Sequence, residues 1–364
     1  MGAYYAQRVY RRTFCYNKLR KYTVLDLMTL HSQSLEEIAR ALVASGKGIL
    51  AADESAGTCD KRFDEHGIPK TEEMRRLWRQ LLFTTPGIER GLSGVILFDE
   101  TLRQKADDGA SFSQLLERRG IIPGIKVDQG LAPFGSSLDE KVTNGLDGLS
   151  GRLGGYRALG ARFAKWRAVI TLKEGLPTEP CLRENARRLA LYAIACQFAG
   201  LVPILEPEVL LDGTHTLARS KEVLAQTLKL VFEEALKAGV NLKGMLLKSS
   251  MALPGKDSGL SATPEEIATA TLEAFKESVP SDVPGIVFLS GGQTPEEATV
   301  RLDAIAKIAK REKLPWRITF SYSRALQAPV IAEWKGQANK VASAQAIFAK
   351  RVEETVLASE GKFA

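Results

Sequence analysis

Eight short apolar runs recur along this chain at intervals of roughly forty residues, and that spacing restricts the fold more than any other feature. They are Gly48–Ser55, Gly94–Glu100, Ile121–Asp128, Phe163–Ile170, Leu201–Val209, Lys243–Ser249, Gly285–Gly292 and Arg317–Ser323. Runs of this length bounded by turn residues suit buried strands. Helix patterns lie between them. Thr263-Pro-Glu-Glu266 and Thr294-Pro-Glu-Glu297 each offer an N-cap, a proline at the first helical position and acids in the first turn. Asn185–Gly200 and Lys221–Gly239 have helical periodicity and end in glycine. Strands that alternate with helices at this spacing make βαβ units and a parallel sheet. Eight units point to an α/β fold, a closed (β/α)8 TIM barrel of one domain. A doubly wound open sheet is the competing arrangement. The glycine-rich stretches Gly46–Gly48 and Gly151–Gly155 do not form G-x-G-x-x-G after a strand, so a dinucleotide fold has little support.

The length of 364 residues fits one large domain or several ordinary ones, and no linker or low-complexity segment divides residues 30–350. No stretch of about 18 apolar residues occurs, so no membrane-spanning helix is expected. The net charge of +7 suggests a polyanionic partner, but its placement weakens that suggestion. Residues 1–27 hold Arg8, Arg11, Arg12, Lys18, Arg20 and Lys21 against Asp26 alone; +5 of the charge sits there, and the remainder is near balance. This basic leader lacks the apolar core of a secretory signal. Met28 opens a segment in which Ser34 and Glu37 make a capping-box pattern, so the folded domain is expected over 28–364. The leader is expected to be disordered or upstream of the true start; a transit peptide is the remaining reading, and would direct the protein to a plastid or mitochondrion. Cys15, Cys59, Cys181 and Cys196 show no C-x-x-C pairing, which fits a reducing compartment such as the cytoplasm. His31, His66 and His215 are far apart and show no metal-ligand spacing.

The strand ends carry the chemistry. Ordinary core strands are apolar to their ends, whereas these end in Asp53, Asp99, Lys126 with Asp128, Lys165 with Arg167, Glu206 with Glu208, and Lys248. Residues two apart share a face, so each of the three pairs points one way. In a barrel that way is inward, at the catalytic rim. A solvated rim or a set of structural ion pairs would explain any one of them alone.

Lys248 ends a strand that has no other polar side chain. Burial disfavours its ammonium, and Lys165 or Lys126 nearby would disfavour it further. Moving a lysine from about 10.4 to near 7 takes roughly 5 kcal/mol, which desolvation and two cations could supply. A neutral amine there is a Schiff-base nucleophile. Glu206, on the neighbouring strand, is placed to move the protons of carbinolamine dehydration, and Glu208 on the same face is expected to raise one of the two carboxyl pKa values. Ser290-Gly-Gly292 after the seventh strand and Arg324 after the eighth supply backbone N–H groups, a hydroxyl and a guanidinium, the parts of a phosphate site.

Ten co-ordered segments resemble class I fructose-1,6-bisphosphate aldolase: GKGILAADES, GVILFDETL, QKADDG, GIKVD, GLDGL, GARFAKWRAV, GLVPILEPEVLLDG, GMLLKSSM, FLSGGQ and FSYSRALQ. They span about residues 32–360. The resemblance implies a (β/α)8 barrel and reversible cleavage of fructose 1,6-bisphosphate to dihydroxyacetone phosphate and glyceraldehyde 3-phosphate, with no cofactor and no metal. It implies Lys248 as the Schiff-base lysine, Glu206 as acid/base, Asp53 on the hydroxyls about C3–C4, Lys165 as a charge stabiliser and Glu208 as an orienting group. Ser290, Gly291, Gly292, Ser323 and Arg324 would bind the C1 phosphate; Ser55, Thr58, Lys126 and Arg167 would line the C6-phosphate side. A homotetramer is implied, with a sugar phosphate as substrate and neither nucleic acid nor membrane as partner.

Ser249-Ser-Met stands where the family has proline after the lysine, Ser323 where it has glycine and Thr58 where it has serine. Many eukaryotic members end in a mobile tail with a terminal tyrosine that aids enamine protonation; this chain ends Gly361–Ala364, and the expectation is that either the tail is absent or another group does that work. Three alternatives remain. A zinc-dependent aldolase needs several histidines at strand ends. A different Schiff-base lyase would act on another sugar phosphate or keto acid. A polyanion-binding protein would use the cationic rim without turnover.

Overall fold

The computed structural model describes residues 35–363; the leader, Met28, His31 and Ser34 lie outside them. Ten strands are present among the described residues: β1 (Gly48–Ala52), β2 (Leu92–Leu97), β3 (Ile122–Lys126), β4 (Leu131–Pro133), β5 (Lys141–Thr143), β6 (Phe163–Ile170), β7 (Val202–Val209), β8 (Leu246–Ser249), β9 (Gly285–Phe288) and β10 (Arg317–Tyr322). Eight close into a parallel barrel in the order β1-β10-β9-β8-β7-β6-β3-β2. All eight apolar runs supply a barrel strand, and the open-sheet alternative is ruled out by closure of β1 on β10. The pair β4 and β5 forms a small antiparallel hairpin in the loop after β3, which the sequence reading left without regular structure.

Side-chain alternation then sorts the residues. Ile49 and Ala51 of β1, Ile96 of β2, Phe163 of β6, Val202 and Ile204 of β7, Leu246 of β8 and Val287 of β9 pack together as the barrel interior. The helical segment 35–42 seals its lower mouth with Leu35, Ala39 and Leu42. Gly124 of β3 leaves room for the Phe163 ring, which an added Cβ would meet at 2.2 Å. A second, larger cluster fills the layer between the barrel and its surrounding helices.

The helix signals hold. Thr263 and Thr294 both close full capping boxes with Glu266 and Glu297, and a proline follows each cap. The two glycine-terminated patterns form the helices Glu179–Phe198 and Leu217–Lys237. Among the described residues no helix is long and apolar enough to cross a membrane.

Candidate active site

The inward phase that builds the apolar interior continues upward into charge. On β1 the series Ile49, Ala51 leads to Asp53; on β6 Phe163 leads to Lys165 and Arg167; on β7 Val202 and Ile204 lead to Glu206 and Glu208; on β8 Leu246 leads to Lys248. Lys126 on β3 pairs in register with Lys165, and Arg167 with Glu206. The pairing of Leu205 with Leu247 sets Glu206 level with Lys248. Ionisable groups from four neighbouring strands, β3, β6, β7 and β8, and from the end of β1 across the barrel therefore meet above the last apolar layer.

Their contacts form a chain of four groups, Asp53–Lys165–Glu206–Lys248, and two separate ion pairs. Glu206 lies 3.0 Å from the Lys248 ammonium through Oε1 and 3.1 Å from the Lys165 ammonium through Oε2. Lys165 also contacts Asp53 at 2.7 Å. Arg167 pairs with Glu208 through its Nε, and Lys126 with Asp128 at 2.7 Å. Lys165, Glu206 and Lys248 are only 3–4% exposed. Charges this deep persist only when paired, and here four cations face four carboxylates.

The lysines are not equivalent. Burial works against the Lys165 ammonium, but Asp53, Glu206 and Asp128 outweigh it and push its pKa above the ordinary lysine value. Lys165 is a fixed cation. Lys248 has one carboxylate partner among the described residues, Glu206, where Lys165 has two. Burial alone would raise the Glu206 pKa; Lys165, Lys248 and Arg167 overcome that and lower it to about 2. For Glu206 this corrects the expectation that like-charge repulsion would raise its pKa. The two carboxylates turn to different cations, and attraction to three nearby positive charges exceeds the effect of burial. Oε2 of Glu206 is buried and faces the Lys165 ammonium, so both oxygens of the carboxylate are turned to lysines.

Around this set lie the groups expected to hold phosphate. Ser55 caps the helix Ala56–Asp64: its Oγ accepts from the Thr58 N–H and lies 3.1 Å from the Thr58 hydroxyl. Ser290 is buried and leads into Gly291 and Gly292, whose φ values of 41° and 84° suit residues without a Cβ. Gln293 donates its N–H to the Ser290 carbonyl and the helix Pro295–Arg311 begins just beyond, so this loop precedes a helix N-terminus. Arg324 opens the helix Arg324–Trp334, is exposed, and has no ion pair among the described residues.

Two expected features fall elsewhere. Asp99 is one residue out of the inward phase set by Ile96; it opens the short helix Asp99–Arg103 and pairs with Arg103 at 2.9 Å on the surface. The Ser323 hydroxyl donates to Glu54 at 2.5 Å.

Glu54 itself was missed by the sequence reading. It also pairs with Arg62, contacts the buried Arg79 at 2.7 Å and accepts from Gln327 at 3.1 Å. Burial would raise its pKa, but the two arginines and Ser323 hold it well below the usual carboxylate range. This network ties the end of β1, between Asp53 and Ser55, to the start of the Arg324 helix. No periodic signal marks it, because its arginines come from two separate helices. Among the described residues no group of three His, Cys, Asp or Glu side chains is arranged to hold a metal ion.

Comparison with known proteins places the chain in a family and agrees with the barrel fold. The family model described as fructose-bisphosphate aldolase class-I matches residues 34–364. A Xanthomonas campestris protein carrying the class 1 fructose-bisphosphate aldolase name is 48% identical over 91% of this chain and 98% of its own length. Human fructose-bisphosphate aldolase C is 46% identical over 91% of both chains. Among solved structures, fructose-bisphosphate aldolase from Plasmodium falciparum, crystallised with TRAP and a small-molecule inhibitor, superposes with a TM-score of 0.90 at 44% identity, covering 92% of this chain and 96% of that one.

Proposed function

This chain belongs to the class I fructose-bisphosphate aldolase family, and from that premise we propose how its own residues divide the work. The enzyme is a lyase of glycolysis that cleaves fructose 1,6-bisphosphate reversibly to dihydroxyacetone phosphate and glyceraldehyde 3-phosphate. The observation that carries the residue assignment is the buried chain of contacts Asp53–Lys165–Glu206–Lys248.

Lys248, as the free amine, adds to the C2 carbonyl to give a carbinolamine. Its departing proton removes one of the charges that depress the Glu206 pKa, so the carboxylate becomes able to take up and return a proton. Glu206 then protonates the departing hydroxyl, water leaves, and a protonated imine remains. Lys165 stays charged throughout and balances the carboxylates. Asp53 accepts hydrogen bonds from the substrate hydroxyls at C3 and C4. Glu206 takes the O4 proton, the C3–C4 bond breaks, and its electron pair moves into the imine to form an enamine. Glyceraldehyde 3-phosphate leaves with the new C4 aldehyde. Protonation at C3 and addition of water then release dihydroxyacetone phosphate and restore the amine.

Ser290, Gly291, Gly292 and Arg324 hold the C1 phosphate; Ser55, Thr58, Lys126 and Arg167 face the C6 phosphate; Glu208 keeps Arg167 in place. Ser323 acts from one step away, through Glu54. We assign the catalytic barrel to residues 28–364, with the basic leader outside it. We also assign a cytoplasmic site of action and a homotetrameric state, which sedimentation equilibrium would test.

Lys248→Met tests the central role. Cleavage measured by a coupled triose-phosphate assay should be lost while the circular dichroism spectrum stays that of the parent. A variant that retains a substantial part of the parent rate would sink the assignment.

A further inference from the structure

Beside the sealed end of the barrel, opposite the lysine–carboxylate set, lies a cavity of ≈ 410 Å³. It lies between the start of β1, the start of β10 and the ends of the helices Pro295–Arg311 and Val341–Ser359. Its walls are of two kinds. Val43, Ala306, Ala309, Leu314 and Pro315 make an apolar surface, and Lys47, Lys310, Lys313 and Arg317 bring four cations. The lone acid in the lining is Glu360, whose Oε1 already accepts from the Ser45 hydroxyl at 3.0 Å and the Gly46 N–H at 2.9 Å. None of the four cations has an ion pair among the described residues.

The partial negative charge at a helix C-terminus explains Lys310, which sits in the last turn of its helix. It does not explain Lys313. Two other long helices end with a glycine in the left-handed region, so that the next N–H reaches back into the last turn: Leu201 to Cys196 past Gly200, and Val240 to Ala235 past Gly239. At the cavity the same bond runs from Leu314 to Ala309, yet the residue between is Lys313, with φ 54°. A side chain is disfavoured in that conformation. Among the described residues one other non-glycine, Lys335, shares this conformation with φ 47°, and of the two Lys313 alone lies in the cavity wall, where the strain points to a use for its side chain.

We propose that this cavity is a second, non-catalytic binding site for a nucleoside triphosphate, with the phosphates among Lys47, Lys313 and Arg317 and the base against Ala309, Leu314 and Pro315. The volume lies within the range of small-molecule sites. The apolar wall suits a flat base better than a polyhydroxyl sugar.

The test is calorimetric titration of the full chain with ATP, in the absence of divalent cations and with fructose 1,6-bisphosphate present in excess. One ATP should bind per chain despite the sugar bisphosphate. Lys313→Gly, which removes the cation and supplies the residue the backbone prefers, should weaken ATP binding about tenfold without lowering the melting temperature. Lys47→Glu with Arg317→Glu should weaken it further, to roughly a hundredfold. All variants should keep the parent cleavage rate when ATP is absent. Inorganic tripolyphosphate should bind about tenfold more weakly than ATP, because it lacks the base. Displacement of ATP by fructose 1,6-bisphosphate, indifference to the substitutions, equal affinity for tripolyphosphate, or no binding at all would each overturn the proposal.

Discussion

Replacing Glu206 by glutamine keeps the shape of the side chain and removes its charge. In the native protein that charge faces Lys248 at 3.0 Å and Lys165 at 3.1 Å, and the carboxyl pKa falls from 4.5 to about 2. At about 1.4 kcal/mol per unit, the ionised carboxylate contributes on the order of 3 kcal/mol to folding at neutral pH. Glutamine forfeits most of that, leaving the buried Lys165 ammonium with Asp53 and the buried Lys248 ammonium without its carboxylate partner. With an unfolding entropy of about 2 cal/mol/K per residue, the melting temperature should fall by about 4 °C.

The pH dependence has a definite sign. A lowered carboxyl pKa gives stability that is present above 4.5 and is lost as pH falls towards 2. The gap between parent and Glu206→Gln should therefore be constant from pH 7 to 5 and shrink by about 60% at pH 3. The catalytic cost is separate. Loss of a positioned acid/base group slows proton transfer by roughly 10²–10⁴-fold. Rapid-mixing measurement of imine formation under single-turnover conditions reads this directly, and urea unfolding from pH 7 to 3 reads the stability. An imine-forming rate within about threefold of the parent would refute the assigned role, because general acid–base effects are far larger.

Arg324→Ala should raise KM for fructose 1,6-bisphosphate by about 10- to 100-fold, the size of a lost charge-assisted hydrogen bond. Its melting temperature should not move, since Arg324 is exposed and has no ion pair among the described residues; steady-state kinetics with differential scanning calorimetry checks both. Glu54→Gln leaves Arg79 buried without its carboxylate and should cost roughly 3–5 kcal/mol by urea denaturation. Ser323→Gly removes one hydroxyl from the same network and should cost about 1 kcal/mol in that assay.

Much of this was legible in the chain because parallel strands are buried on both faces and read as continuous apolar runs. Where such a run ends in charge on its inward phase, as at Lys165, Glu206 and Lys248, the charge stands out. Three features escaped. The strands Leu131–Pro133 and Lys141–Thr143 are three residues long, and Leu131–Pro133 lacks a buried side, so they leave no pattern. Glu54 is buried by Arg62, Arg79, Ser323 and Gln327, an arrangement made only by packing of distant segments. Asp99 looked like its counterparts, and one residue of phase separates it from them. The protonation of Glu206 was misjudged for a related reason. Spacing revealed its like-charged neighbour Glu208, while the distances to three cations belong to the closed barrel.

Reduction by borohydride in the presence of dihydroxyacetone phosphate, followed by mass spectrometry of the modified peptide, tests the central claim most directly. The imine assigned to Lys248 predicts one covalent adduct per chain, located on the peptide that carries Met245–Ser250, with inactivation proportional to its yield. An adduct on Lys165 or Lys126, or inactivation without any adduct, would contradict it.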